Sequence, residues 1–289
     1  MFKSIAASVA RAAFAVILGG LAQLQPAPSQ NVCGELLTLK THGTTTTPVS
    51  LSMPPASAPK EGRMVLVLLP GGPGYMALDA KGCARKLEGN SLVRSVALFN
   101  KAGFVTALVD APSDHRGEDG LGGFRLSAQH ADDIGKVIAE VRDRTKLPVW
   151  LVGTSRGAIS AANAASRLTG SAAPDGLVLT SAVTSGKVGG RKAWVAQTAM
   201  GAKLENIRMP VLVVAHAADT CIRTPPALAG RIVARTNGAR EQTVIVKGGP
   251  GSKGGVGVEA CQGRTPHGFI DQEADVAAGM VRFIRGGTY

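Results

Sequence analysis

Large aromatic side chains are scarce in this chain. They make up 4% of 289 residues, with two Trp and two Tyr. The core must therefore be filled by small and branched aliphatic side chains. Clustered basic residues are also missing. The formal net charge is +12, from 32 Lys and Arg against 20 Asp and Glu. Those positive residues are scattered, with no aromatics interleaved, so nucleic acid is not an expected partner. The absence of any C-x-x-C pair excludes a zinc ribbon. No stretch beyond the first residues is long and apolar enough to span a membrane. Disorder is excluded as well, because apolar residues make up 45% and charged residues only 18%.

The N-terminal segment reads as an export signal. Lys3 and Arg11 precede an apolar stretch over 12–24, and small residues and prolines follow over 25–30. The apolar stretch is shorter than the ~20 residues of a spanning helix. The expected division is a signal peptide over 1–27, cut near Ala22 or Ala27, and one mature domain over 28–289. The alternative is an uncleaved anchor. All four cysteines, Cys33, Cys83, Cys221 and Cys261, lie beyond the signal. An even number in an exported chain suggests disulfides and a periplasmic or secreted location, with the connectivity open.

Short apolar runs then alternate with helical patterns. Strands are expected over 49–53, 64–69, 104–109, 149–152, 177–179, 211–215 and 243–246. Helices are expected over 92–102, 130–145, 158–168, 226–236 and 273–284. In the second helix Ile134, Val137, Ile138 and Val141 share one face. The run MVLVLL over 64–69 suits a strand buried on both faces. Such alternation predicts an α/β fold, a mostly parallel central sheet with helices on both faces. Residues 43–48 (GTTTTP) read as a turn or exposed edge, and the Gly-rich stretch 248–263 reads as a loop of the same domain.

Ser155 carries the chemistry. Its frame Gly153-Thr154-Ser155-Arg156-Gly157 falls between a strand and a helix. A sharp turn there lifts a hydroxyl clear of the sheet, near a helix N-terminus that favours negative charge. A serine hydroxyl needs a base to act as a nucleophile. Here the sequence resembles the α/β-hydrolase family, from about Val49 to the C-terminus. That resemblance implies Ser155 as nucleophile, followed along the chain by an acid and a histidine after later strands. Asp219, in HAADT after the 211–215 strand, would orient the imidazole. His267, in TPHGF, would be the general base. His42, His115 and His130 precede the nucleophile, and His216 reads as structural or rim-forming. Asp110, at the end of the 104–109 strand, is the alternative acid.

The resemblance also implies two backbone donors for an oxyanion. One is the amide of Arg156. The other is the amide of Gly72, with Gly71 next, in the loop Pro70-Gly71-Gly72-Pro73-Gly74-Tyr75. That loop resembles the HGGPG segment of the proline iminopeptidase branch, with Pro70 in place of its His. Arg156 stands where that branch carries Trp. A Cys221–Cys261 bridge would tie the acid loop to the histidine loop and leave Cys33–Cys83; other pairings remain open. A minimal cap over 183–210 has room for one or two small helices, with Trp194, Gln197 and Met200 along the mouth. The Arg156 side chain stands either to attract an anionic acyl group or to pair with a nearby carboxylate.

The segment Gly248-Gly249-Pro250-Gly251-Ser252-Lys253 lacks the spacing of a phosphate loop. Asp132-Asp133 reads as a solvated helix face. No metal and no cofactor are expected. These readings together predict an esterase-like serine hydrolase acting on a small acyl substrate. An aminopeptidase or amidase of the same fold is one alternative. A non-catalytic exported binding protein on this scaffold is another.

Overall fold

In a computed structural model, the protein is described at Met1, 33–249 and 255–289. The expected signal over 1–27 lies, Met1 apart, outside the described residues. Continuous runs of Val and Leu form the central strands, because branched side chains pack well on a pleated surface covered from both sides. In β3 (Val65–Leu69), β4 (Val105–Val109), β5 (Val149–Thr154), β6 (Gly176–Thr180) and β7 (Val211–His216) every residue is buried. β1 (Glu35–Lys40), β2 (Thr46–Ser52) and β8 (Glu241–Val246) complete an eight-stranded sheet of order β1-β2-β4-β3-β5-β6-β7-β8. β2 runs antiparallel to β1 and β4, and the remaining neighbours are parallel.

Successive strand residues point to opposite faces, which divides the core in two. Val65, Val67 and Leu69 pack with α2 (Ala128–Thr145) and α3 (Gly157–Arg167). Leu66 and Leu68 pack with α1 (Ser91–Lys101) and α5 (Glu273–Ile284). Caps set the helix starts. Ser127 Oγ accepts from the His130 amide, and Asn90 Oδ1 accepts from the Leu92 amide. A Leu-to-Ala change at a fully buried position such as Leu151 would cost about 2–5 kcal/mol.

Two expectations change. Of residues 43–48, 43 and 44 form a turn as expected, but 46–48 belong to β2, paired with β1. β1 itself escapes detection because only Leu37 of its six residues is buried. The helix expected over 226–236 is one 3-10 turn, Pro226–Leu228, followed by the short α4 (Gly230–Val233). Ala229 and Ile232 are buried in the core and Val233 packs against it in part, so the apolar face is one turn long, and Gly230 weakens any longer helix. Residues Val32–Tyr289 form one compact unit. Among the described residues no helix is long and apolar enough to cross a membrane.

Candidate active site

The turn from β5 into α3 holds Ser155 at φ +52°. A non-glycine residue pays about 1–3 kcal/mol for such a conformation, so its surroundings must impose it. The Ser155 amide donates to the Thr180 carbonyl at the end of β6, at 2.9 Å. Its neighbours must also be small. A Cβ at Gly157 would overlap the Leu69 carbonyl oxygen, and one at Gly153 would stand 2.6 Å from the Gly157 carbonyl oxygen.

β7 delivers Asp219, and the loop before α5 delivers His267. His267 Nδ1 lies 2.9 Å from Asp219 Oδ2, and the two side chains are 4% and 0% exposed. Asp219 accepts two further bonds, from the Thr224 hydroxyl to Oδ2 at 2.8 Å and from the Cys221 amide to Oδ1 at 2.9 Å. Thr224 Oγ1 also lies 3.0 Å from His267 Nδ1. The Thr224 proton is committed to the carboxylate, and a carboxylate only accepts. Nδ1 therefore carries the ring proton, and Nε2 keeps its lone pair.

The histidine loop is held from two sides. Ser181 Oγ donates to the His267 carbonyl at 2.7 Å. Arg94 on α1 donates to the carbonyls of Gly263 and Gly268, both at 2.8 Å, and its Nε donates to Glu273 at 2.9 Å. The structure also pairs Cys221 with Cys261 and Cys33 with Cys83. The first bridge joins the acid loop to the histidine loop. The Gly257 amide donates to the Thr220 carbonyl beside it. Thr224, Ser181 and Arg94 carry no motif that marks them in the sequence.

Opposite Ser155 runs the loop after β3. A Cβ at Gly71 would stand 2.8 Å from Ser155 Cβ, so this backbone touches the serine. Gly72 adopts φ +59°, a left-handed conformation that glycine tolerates without strain. Among the described residues, the amides of Gly71, Gly72 and Arg156 donate to no protein acceptor. Ser155, Gly72 and His267 line one cavity of about 210 Å³, closed by Leu87, Asn90, Ser91 and Gln262. Among the described residues no hydrogen bond joins Ser155 Oγ to His267. Such bonds are often long until substrate arrives. A larger groove of about 530 Å³ beside α1, lined by Met53, Val93 and Ala97, contains none of these residues.

The alternative candidates have other duties. Asp110 is buried and accepts from the amides of Met76 (2.6 Å), Leu78 (3.0 Å) and Ala111 (2.8 Å). It anchors the continuation of the Gly72 loop. Burial pushes its carboxyl upward, against those three bonds. His216 accepts from the Ala218 amide at Nδ1 and donates from Nε2 to Gln272. His130 is buried against Ser160 Oγ, and burial and then the nearby Arg125 charge push it down to about 3. Asp133 is not solvated. It is 3% exposed and bonded to His42 Nδ1, while Asp132 faces solvent.

The cap differs from the expected one or two helices. It is a chain of single 3-10 turns, Ala193–Ala196, Ala199–Gly201 and Leu204–Asn206. Trp194 packs against Gly122 and beneath the Arg156 guanidinium, 4.8 Å from its ring centroid. Gln197 donates to the Gly123 carbonyl. Met200 packs on the core instead of along the mouth.

Strand order, elbow and loop positions together define the α/β-hydrolase fold. No protein-family model matches the sequence, and no curated protein gives a significant match. Solved structures share the fold at low identity. A cold-adapted esterase from an Arctic intertidal metagenomic library is similar at TM-score 0.56 and 13% identity, over 88% of this chain and 93% of that one. An esterase from Exiguobacterium antarcticum gives TM-score 0.56 and 14% identity, over 88% and 100%. An α/β serine hydrolase without a lid from Xanthomonas campestris gives 0.51 and 14%, over 86% and 93%. None of these three is described as a proline iminopeptidase.

Proposed function

We propose that the protein is an exported serine hydrolase that cleaves esters through an acyl-enzyme. The observation that carries this reading is the buried Asp219–His267 pair. Its ring proton is fixed on Nδ1, and His267 opens onto the cavity that also holds the strained Ser155. In the first step Ser155 Oγ attacks the ester carbonyl and gives its proton to His267 Nε2. The amides of Gly72 and Arg156 hold the oxyanion. Asp219 stabilises the imidazolium, which then protonates the departing alcohol. Water repeats the sequence on the acyl-enzyme and releases the acid.

The short cap supports an open site, as in the lidless neighbour. Export is supported by the two disulfides and by the basic and apolar character of residues 1–27. No carboxylate occurs among the described residues that line the cavity. Esters are preferred over aminoacyl amides in this reading because the similar solved structures include esterases.

The test is hydrolysis of p-nitrophenyl esters and aminoacyl anilides by wild type and Ser155→Ala. Ester turnover with a burst of one equivalent, lost in the variant, is the expected result. Preferential anilide turnover would establish the peptidase instead. Turnover of neither would support the binding-protein reading.

A further inference from the structure

Some arginines of this fold have acidic partners, among them Arg94 with Glu273, Arg142 with Asp175 and Arg144 with Glu140, whereas others, such as Arg240, bond to backbone carbonyls. Three without an acidic partner are gathered near Ser155. Among the described residues, Arg125, Arg156 and Arg223 form no ion pair with any carboxylate. Arg125 is 2% exposed, and its partners are neutral: Ser160 Oγ at 2.8 Å and the carbonyls of Pro70 and Gly72 at 3.4 and 3.2 Å. Burial and then the Arg156 charge pull it down to about 9, so it stays a cation at neutral pH. Arg223 immediately precedes Thr224 and braces the cap through the carbonyls of Ser185 (2.7 Å) and Gln197 (3.1 Å).

Arg156 differs again. Its guanidinium makes no hydrogen bond among the described residues, and only the Trp194 ring supports it. Stacking fixes the plane and leaves the N–H edge open. Burial, then the positive charge of Arg223, push Arg156 downward; Asp119 opposes them. Asp119 is itself ion-paired with Lys192 at 2.5 Å. Like charges gathered in a partly desolvated place are costly when left alone, and an anion between them relieves that cost.

We propose that the ester cleaved at Ser155 carries a carboxylate, bound between the guanidinium groups of Arg156 and Arg223 on the Trp194 side of the serine. This rests on the serine hydrolase reading and adds the class of substrate to it. Arg125 acts at one remove, holding the Pro70 and Gly72 carbonyls and adding positive potential. The carboxylate belongs either to the acyl chain or to the leaving alcohol. Both place a negative charge close to the scissile carbonyl, where charge-assisted bonds from arginine are strong.

The test compares matched esters on the wild-type protein. Mono-p-nitrophenyl glutarate, with an anionic acyl chain, is set against p-nitrophenyl valerate. 4-Acetoxybenzoate, with an anionic leaving group, is set against its methyl ester. The expected result is kcat/KM higher by about tenfold or more for the anionic member of at least one pair. The preferred pair identifies which side carries the charge. The preference shrinks as NaCl rises from about 20 to about 500 mM. Arg156→Gln and Arg223→Gln each lower the anionic-to-neutral ratio by about tenfold, and Arg223→Lys retains more of it. Should a variant fail to fold, free glutarate decides, as a salt-sensitive competitive inhibitor of neutral-ester hydrolysis by wild type. Equal or poorer turnover of both anionic esters, with the neutral ones hydrolysed, overturns this inference and leaves the hydrolase reading intact. No turnover of any ester and no covalent labelling of Ser155 overturn both.

Discussion

Thr224 Oγ1 donates to Asp219 Oδ2 at 2.8 Å, in the same buried spot where that oxygen meets His267. A hydroxyl placed there commits its proton to the acid and leaves the imidazole one choice of tautomer. Thr224→Val removes that restraint at nearly constant volume. A hydrogen bond to a charged group contributes about 1.5–3 kcal/mol, so kcat should fall by about 10- to 100-fold. Thr224→Ser should restore most of it. Steady-state kinetics beside thermal melts checks this, because a merely structural role would lower Tm without changing kcat of the folded fraction.

Asp110 directly follows β4 and Asp219 lies in the loop after β7, and their surroundings predict opposite outcomes. Asp219→Asn should abolish turnover while leaving Tm close to wild type. Asp110→Ala should lower stability by about 1–3 kcal/mol, since two buried amides and one partly buried amide lose their acceptor. Urea titration and ester turnover of both variants separate the two roles.

The sequence pattern exposes the parts of the molecule that depend on periodicity. Mostly apolar runs rich in Val and Leu reveal β3, β4, β5 and β7, because burial on both faces leaves few polar positions. The frame around Ser155 is readable because close backbone approach permits only glycine at 153 and 157. β1 is not readable, since an edge strand with one buried residue has little pattern to show. Thr224, Ser181, Arg94 and Arg125 are also hidden. Each acts through hydrogen bonds between loops, and those contacts depend on tertiary placement that local spacing does not encode. Asp133 misleads for the same reason: its partner, His42, is distant in the chain.

The Cys221–Cys261 bridge closes a loop with a sequence separation of 40, which in the chain-entropy account stabilises the fold by about 4 kcal/mol. It also holds the acid and histidine loops together. Cys221→Ser/Cys261→Ser should lower Tm and, in the protein that remains folded, lower kcat more than it raises KM. Melting and initial-rate measurements check both effects.

His42 sits between Asp133 at Nδ1 (2.6 Å) and Asp114 at Nε2 (2.8 Å). Burial alone would pull its pKa down, but the bonds and charges of Asp114 and Asp133 raise it overall. A raised folded-state value means that protonated His42 stabilises the fold. The contribution is fully present below the unfolded value of about 6.5 and is lost as pH rises through the folded one. The Tm difference between wild type and His42→Gln should therefore be largest under mildly acidic conditions and shrink as the solution becomes alkaline. A difference constant across that range would contradict it.

Covalent trapping decides whether Ser155 is the nucleophile. Folded wild-type protein is treated with a fluorophosphonate and the adduct is located by peptide mass mapping. One adduct is expected, on Ser155, lost in Ser155→Ala and strongly slowed in His267→Ala. An adduct elsewhere, labelling that persists in Ser155→Ala, or no reaction of the folded protein would contradict that role.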